Sequence, residues 1–181
     1  MHKIKTILIF GASGSGSTTL ARAISQKYGF HFIDTDDAIW EQTNPPFKNR
    51  RESLDSWKIL NDQLSANDFN VISGSFIGWG DSFKNKIDLF IYMNLPLEIR
   101  LKRIQIREEN RFGGRVLPGG DLYLQHLDFL NWVSMYEILD ETKRSQKQHE
   151  KWLQNVKKDI LYIKEPLTIT ELLAKVSVYF E

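Results

Sequence analysis

Residues 11–18 read Gly-Ala-Ser-Gly-Ser-Gly-Ser-Thr, set between the apolar run Ile4–Phe10 and a segment, Thr18–Tyr28, with helical spacing of its apolar residues. No other stretch constrains the fold as strongly. Glycine tolerates left-handed backbone conformations that other residues avoid. A chain that uses them can turn successive N–H groups toward one concavity. The helix that follows adds its own unpaired N-terminal N–H groups and the positive end of its dipole. The expected product is a cradle for phosphate at the carboxyl end of a strand, the place where open α/β sheets bind ligands. A plain glycine-serine turn is the competing reading, but it needs neither three glycines nor four hydroxyls in eight residues.

The spacing of Gly11 and Gly16 fits G-x-x-x-x-G, with Thr18 at the Ser/Thr position of a phosphate-binding loop. Gly11, Ser13, Gly14, Ser15, Gly16, Ser17, Thr18 and Thr19 are therefore the nucleotide-binding candidates. The Thr18 hydroxyl suits Mg²⁺. One position departs from the pattern, because Ser17 stands where a lysine normally reaches the terminal phosphates. The backbone cradle survives that change, but a cation is lost.

Downstream, short apolar runs alternate with helical patterns. Phe30–Ile33, Phe69–Ile72, Leu89–Met93 and Ile160–Ile163 read as strands. Helices are expected at Asp36–Glu41, Leu54–Ala66, from Pro96 to about Asn110, as one or two segments within Leu122–Val156, and at Ile169–Tyr179. Strands alternating with helices imply an α/β fold with a parallel sheet covered on both faces. No repeat or linker divides the 181 residues, so 1–181 reads as a single domain. The 24 basic and 23 acidic residues leave a net charge of +1, which gives no global field for nucleic acid or membrane. There is no cysteine, so disulfides and thiolate metal sites are excluded. The longest apolar run near the N-terminus, Ile7–Phe10, is too short for a signal peptide or a membrane span, so a cytoplasmic protein is expected.

Arg100, Arg103, Arg107 and Arg111 recur at helical spacing and predict a basic stripe opposite Leu97, Leu101 and Ile104, with Arg115 extending it. Like charges stacked in this way repel, and an anion relieves them. A solvated basic face is the alternative. Gly113-Gly114 and Pro118-Gly119-Gly120 flank a segment, 111–120, that reads as a lid carrying arginines. Such a lid could replace the missing lysine charge. Asp34, Asp36 and Asp37 follow the second strand. Asp34 or Asp36 could hold Mg²⁺ through water or orient an attacking hydroxyl; either Asp34 or Thr35 could instead cap the next helix. Ser75 and Trp79, in a glycine-rich turn after the third strand, are candidates for the acceptor side together with Asp36, with core packing the alternative for Trp79. Ser73 occupies the strand end where many phosphate-loop enzymes place an acid.

With these motifs in place, the chain resembles the adenylate kinase-like and shikimate kinase-like P-loop small-molecule kinases. Arg103-Ile104-x-x-Arg107 resembles the arginine pair at the start of the adenylate kinase lid. The resemblance implies that Arg103 stacks on adenine and Arg107 meets phosphate. Asp34-x-Asp36 is similar to the D-x-D of shikimate and gluconate kinase relatives. The lysine-less loop, Ser73-Gly-Ser with Gly78-Trp-Gly-Asp, and Arg111-Phe-Gly-x-Arg with Pro118-Gly-Gly-Asp resemble a group of adenylate kinase-like ATPases. The resemblance implies a three-layer α/β/α P-loop fold with a five-stranded sheet of order 2-3-1-4-5. It names no acceptor.

The expected function is phosphoryl transfer from ATP, or another nucleoside triphosphate, with Mg²⁺, to a small nucleoside- or nucleotide-type acceptor. Gly11–Thr19 and Arg103 would hold the nucleotide, Thr18 and Asp34 the metal. Asp36, Ser75 and Trp79 would meet the acceptor, and Asp34, Asp36, Arg107, Arg111 and Arg115 would act in catalysis. A catalytically weak nucleotide sensor is the alternative, suggested by Ser17. Nucleic-acid binding is a distant third, since no aromatic residues interleave the arginines. Base preference and oligomeric state are not legible in the sequence.

Overall fold

A computed structural model describes residues 4–180. Five strands, β1 (Thr6–Gly11), β2 (His31–Asp34), β3 (Asn70–Ser73), β4 (Leu89–Met93) and β5 (Asp159–Ile163), form one parallel sheet in the order β2-β3-β1-β4-β5. Seven helices connect and close it: α1 (Ser17–Tyr28), α2 (Thr35–Ile39), α3 (Ser53–Ser65), α4 (Leu97–Phe112), α5 (Tyr123–Ser134), α6 (Gln146–Leu153) and α7 (Ile169–Ser177). Short 3-10 turns occupy Asp81–Lys86 and Gly113–Val116.

The strand sequences explain the layers. Side chains alternate across a strand, and β1 sends Ile7 and Ile9 to one face, Leu8 and Phe10 to the other. On the first face they join Val71, Leu89 and Ile91 of the sheet with Leu20, Ala21 and Ile24 of α1 and Leu172 and Val176 of α7. On the second they join Ile33, Ile72, Phe90 and Tyr92 with Leu60 and Leu64 of α3 and Leu153 of α6. The central strands β1, β3 and β4 are buried throughout. That is why they read as continuous apolar runs rather than alternating ones.

Local chemistry sets the helix ends. α1 stops at Gly29, whose left-handed φ of 76° lets its N–H close on the Ser25 carbonyl. Ser145 caps α6 by accepting from the Gln148 N–H, and Thr168 with Glu171 forms a reciprocal capping box at α7. The long stretch 122–156 resolves into α5 and α6, separated by turns at 135–145.

Two expectations change. The segment 111–120 begins inside α4, which runs to Phe112 and then tightens into a 3-10 turn. Arg100 does not belong to a solvated stripe. It is fully buried alongside Ile104, because it finds a complete set of internal partners described below. Among the described residues no helix is long and apolar enough to cross a membrane.

Candidate active site

The loop between β1 and α1 lies at the carboxyl ends of the central strands. It is fixed from below. Gly11 has φ 150°, and a Cβ there would lie 1.9 Å from the Met93 carbonyl oxygen, so only glycine lets β1 continue beside β4. Gly14 has φ 82° and would push a Cβ to 2.7 Å from the Arg100 carbonyl. Gly16, at φ 99°, is the residue before α1. The first helical bond that closes on the loop runs from the Leu20 N–H to the Gly16 carbonyl at 3.0 Å. The first N–H groups of α1 itself, Ser17–Thr19, precede that bond and have no helical partners.

Three carbonyls of the loop, on alternate residues, each accept from an arginine outside it. Arg144 Nη2 donates to Gly11 O at 3.2 Å, Arg100 Nη1 to Ser13 O at 3.4 Å, and Arg103 Nη1 to Ser15 O at 3.1 Å. The loop is held mainly by its oxygens; of its N–H groups, Ala12 donates to the Met93 carbonyl at 3.1 Å and Ser15 to the Ala12 carbonyl at 3.2 Å. Arg100 is also bonded through Nε to Leu95 O at 2.8 Å, paired with Glu137, and 5.5 Å from the Tyr136 ring centre. Its charge is balanced internally.

Beside the loop, a polar row crosses strand ends. Asp34 ends β2 directly opposite Ser73 of β3. The Ser73 hydroxyl lies 2.9 Å from Thr18 Oγ1 and 3.5 Å from Ser17 Oγ. Asp34 also caps α2, accepting from the Asp36 N–H at 3.1 Å, so the capping and site readings coexist in one residue. Burial, followed by the nearby Asp36 charge, pushes the Asp34 carboxyl up to about 6. Burial also raises Asp36, while the Arg144 and Arg107 cations pull it down. Gly74, at φ 106°, lets β3 end against α2, since a Cβ there would meet Thr35 Oγ1 at 1.9 Å.

Thr18 and Ser73 thus bring two hydroxyls together beside the loop, with Asp34 next to them by strand register, although no cluster of three metal-type ligands occurs among the described residues. That donor set fits Mg²⁺, which keeps several waters and takes few protein ligands beside phosphate.

The opposite wall is α4 and its surroundings. Arg103, Ile106, Arg107, Asn110 and Arg111 line an open depression on that helix. The Arg107 guanidinium lies 5.9 Å from the Phe129 ring centre and pairs with Glu108 at 2.8 Å. Arg111 lies 5.5 Å from Phe47, and Arg144 lies 5.4 Å from Trp132. Phe129 and Trp132 stack at 5.9 Å with planes 19° apart, and Phe47 and Trp132 are exposed. The wall is therefore cationic and aromatic together.

Arg115 lies apart from these groups in its contacts. It is held on the surface by a two-point pair with Asp121 at 2.9 and 2.7 Å. Ser75 is half-buried just beyond β3. Trp79 is half-buried and packs edge-on against Phe76, at 6.3 Å and 82°. Thr19 is exposed on the first turn of α1.

Sequence reading passed over Arg144, Phe47, Phe129 and Trp132. None of them carries a motif. Arg144 precedes the Ser145 cap in an irregular loop and meets Gly11 across 133 positions of sequence.

No protein-family model matches the chain. It is 17% identical to shikimate kinase from Bacteroides thetaiotaomicron, covering 97% of both chains with a TM-score of 0.60. The deoxyadenosine kinase of M. mycoides with bound dATP superposes with a TM-score of 0.54 at 16% identity, over 96% of this chain and 97% of that one. The fold is therefore that of the P-loop kinases. In sequence, the cytidylate kinase of Pyrococcus furiosus is 27% identical over 157 residues, 76% of this chain and 80% of that protein. The uncharacterized protein YqaC of Bacillus subtilis is 35% identical over 175 residues, 97% of each chain. With likeness at that level along nearly its whole length, the chain belongs to the YqaC family.

Proposed function

We propose that the protein is a Mg²⁺-assisted, ATP-dependent kinase of a small nucleoside- or nucleotide-type acceptor. The observation that carries the reading is the loop Gly11–Thr18, braced at its carbonyls by arginines, with the Thr18–Ser73–Asp34 row at its mouth. Backbone N–H groups of Ser13, Gly14 and Gly16–Thr19 bind the phosphate chain, while the Ser15 N–H closes the loop on Ala12, and Arg103 meets the base end of the nucleotide. Thr18 and Asp34 would hold the metal, Asp34 through water. When bound, Mg²⁺ neutralises charge on the phosphates.

The acceptor enters between α2 and α4. Phe47, Phe129 and Trp132 offer flat apolar faces, and Arg107 and Arg111 offer cations. This pairing suits a planar molecule that also carries negative charge. Asp36 stands at that wall, between the fields of Arg144 and Arg107, and orients the attacking hydroxyl. Ser75 and Trp79 border the acceptor from the β3 side. Arg107 and Arg111 stabilise the transferring phosphoryl group, joined by Arg115 when its pair with Asp121 opens. In-line transfer then depends mainly on positioning and charge rather than covalent chemistry.

The test is ATP consumption against a panel of nucleosides, nucleoside monophosphates and phosphorylated sugars. Acceptor-dependent turnover at roughly 1–100 s⁻¹ is expected. Tight ATP binding with no turnover on any acceptor would sink the kinase reading and favour a nucleotide sensor. The serines at positions 17 and 73 are what motivate that second reading.

A further inference from the structure

We propose that Arg144, from the loop between α5 and α6, is the phosphate-binding cation that stands in for the lysine missing at Ser17. The inference rests on the nucleotide reading above and deepens it. Ser17 directs its hydroxyl toward Ser73, so position 17 brings no charge to the cradle. Arg144 arrives at the same loop from the far end of the chain and donates to the carbonyl of Gly11, the first residue of the motif.

Arg144 differs from the other cation that braces the loop at depth. Arg100 uses Nε, Nη1 and Nη2 on Leu95, Ser13 and Glu137, and its charge meets an acid in contact. Arg144 spends one hydrogen bond on Gly11, and its Nε is buried with no partner among the described residues. Among the described residues no acid pairs with it directly; Asp36 acts on it through the field. The Trp132 face steadies the guanidinium at 5.4 Å without neutralising it. A half-buried cation with an idle donor, bonded to the first carbonyl of the loop, lacks an anion. A terminal phosphate supplies both the charge and the acceptor oxygens. Arginine suits this role because its planar fork can grip two non-bridging oxygens while one nitrogen stays on the loop. No proton moves in this step, since the guanidinium only donates hydrogen bonds.

The experiment compares binding of Mg·ATP, Mg·ADP and AMP to the wild-type chain and to Arg144→Ala, Arg144→Lys and Ser17→Lys/Arg144→Ala, by fluorescence titration with mant-labelled nucleotides. Thermal melts of each variant run alongside. Arg144→Ala is expected to weaken ATP by about 30-fold or more, the scale of charge-assisted hydrogen bonds, with a smaller loss for ADP and none for AMP. Arg144→Lys retains most of the ATP affinity. The double variant recovers it, because a lysine at 17 restores the cation from inside the loop. Equal ATP binding by Arg144→Ala and the wild type would overturn the assignment. So would a loss that is uniform across the three nucleotides, tracks a fall in Tm, and is not rescued by Ser17→Lys, since that marks a structural role. Failure of the wild-type chain to bind any of them would overturn the nucleotide reading, and the assignment with it.

Discussion

The underside of the phosphate loop and its mouth are both built around an arginine on a loop carbonyl, and they are energetically unlike. Below, Arg100 is fully buried, and its guanidinium meets two carbonyls and a carboxylate. Above, Arg144 has one carbonyl, an aromatic face and no contacting acid. A buried cation without compensation is costly. The underside meets that cost with Glu137. The mouth leaves part of it standing, and binding an anion removes it. Within one loop, one arginine is fully satisfied by the fold and the other is not.

Substitutions can break this contrast. The largest effect belongs to the first residue of the loop, where it leaves the sheet. Gly11→Ala would force a Cβ against the Met93 carbonyl between β1 and β4. It is expected to destabilise the chain by on the order of 3 kcal/mol or more in urea denaturation. A near-native Cm would show that the loop floor yields more than its geometry implies.

Arg100→Met comes next. It strands the Glu137 carboxylate and two carbonyls, and about 2–3 kcal/mol of stability should be lost, discounted because Glu137 is partly solvated. The folded fraction should still bind ATP nearly as the wild type does. A selective loss of ATP affinity with an unchanged Tm would reverse the roles assigned to the two arginines.

Asp34 tests the mouth through pH. Its carboxyl is raised from an ordinary value of 3.8 to about 6 by burial and the Asp36 charge. The folded state therefore holds the proton more tightly than the unfolded state. With neither metal nor nucleotide bound, the cost of ionising Asp34 is absent below about pH 4, grows up to about pH 6 and is complete above it. Asp34→Asn keeps the cap but removes that cost. It should stabilise the unliganded chain by about 1–2 kcal/mol at pH 8 and by nothing near pH 3.5. The same change should weaken the Mg²⁺-dependent part of ATP binding. A variant no more stable than the wild type at pH 8 would mean that Asp34 is not held under strain for a ligand.

Arg115→Ala is expected to do least. Its pair with Asp121 is exposed, so Tm should stay unchanged. If Arg115 joins the transferring group only after that pair opens, kcat should fall by no more than about tenfold, the scale of one exposed charge. A larger fall would make the 111–120 segment part of the catalytic assembly from the outset.

Much of this architecture can be read from local sequence. The runs that became β1, β3 and β4 are apolar without alternation because both faces are covered. The glycines at 11, 14 and 16 announce a backbone that other residues resist. The arginine spacing from 100 to 111 correctly places four arginines on one helix, but periodicity cannot say which way that helix turns. Leu95, Ser13 and Glu137 decide that Arg100 points inward. In the sequence Trp79 is open between ligand surface and core packing, and the structure leaves it half-buried and edge-on to Phe76.

By itself, then, the sequence determined the glycine loop after β1, the parallel sheet behind it and the acidic residues at the end of β2. Each of these depends on backbone conformation or on burial pattern within one short segment. Only the tertiary structure decided where the cations go. Arg100, Arg103 and Arg144 meet the loop across 87, 88 and 133 positions of sequence. Local pattern sets which face of a helix a charge lies on, but it does not choose the distant partner, so nothing local directs it there. What directs it is the set of carbonyls, acids and rings that folding brings within reach.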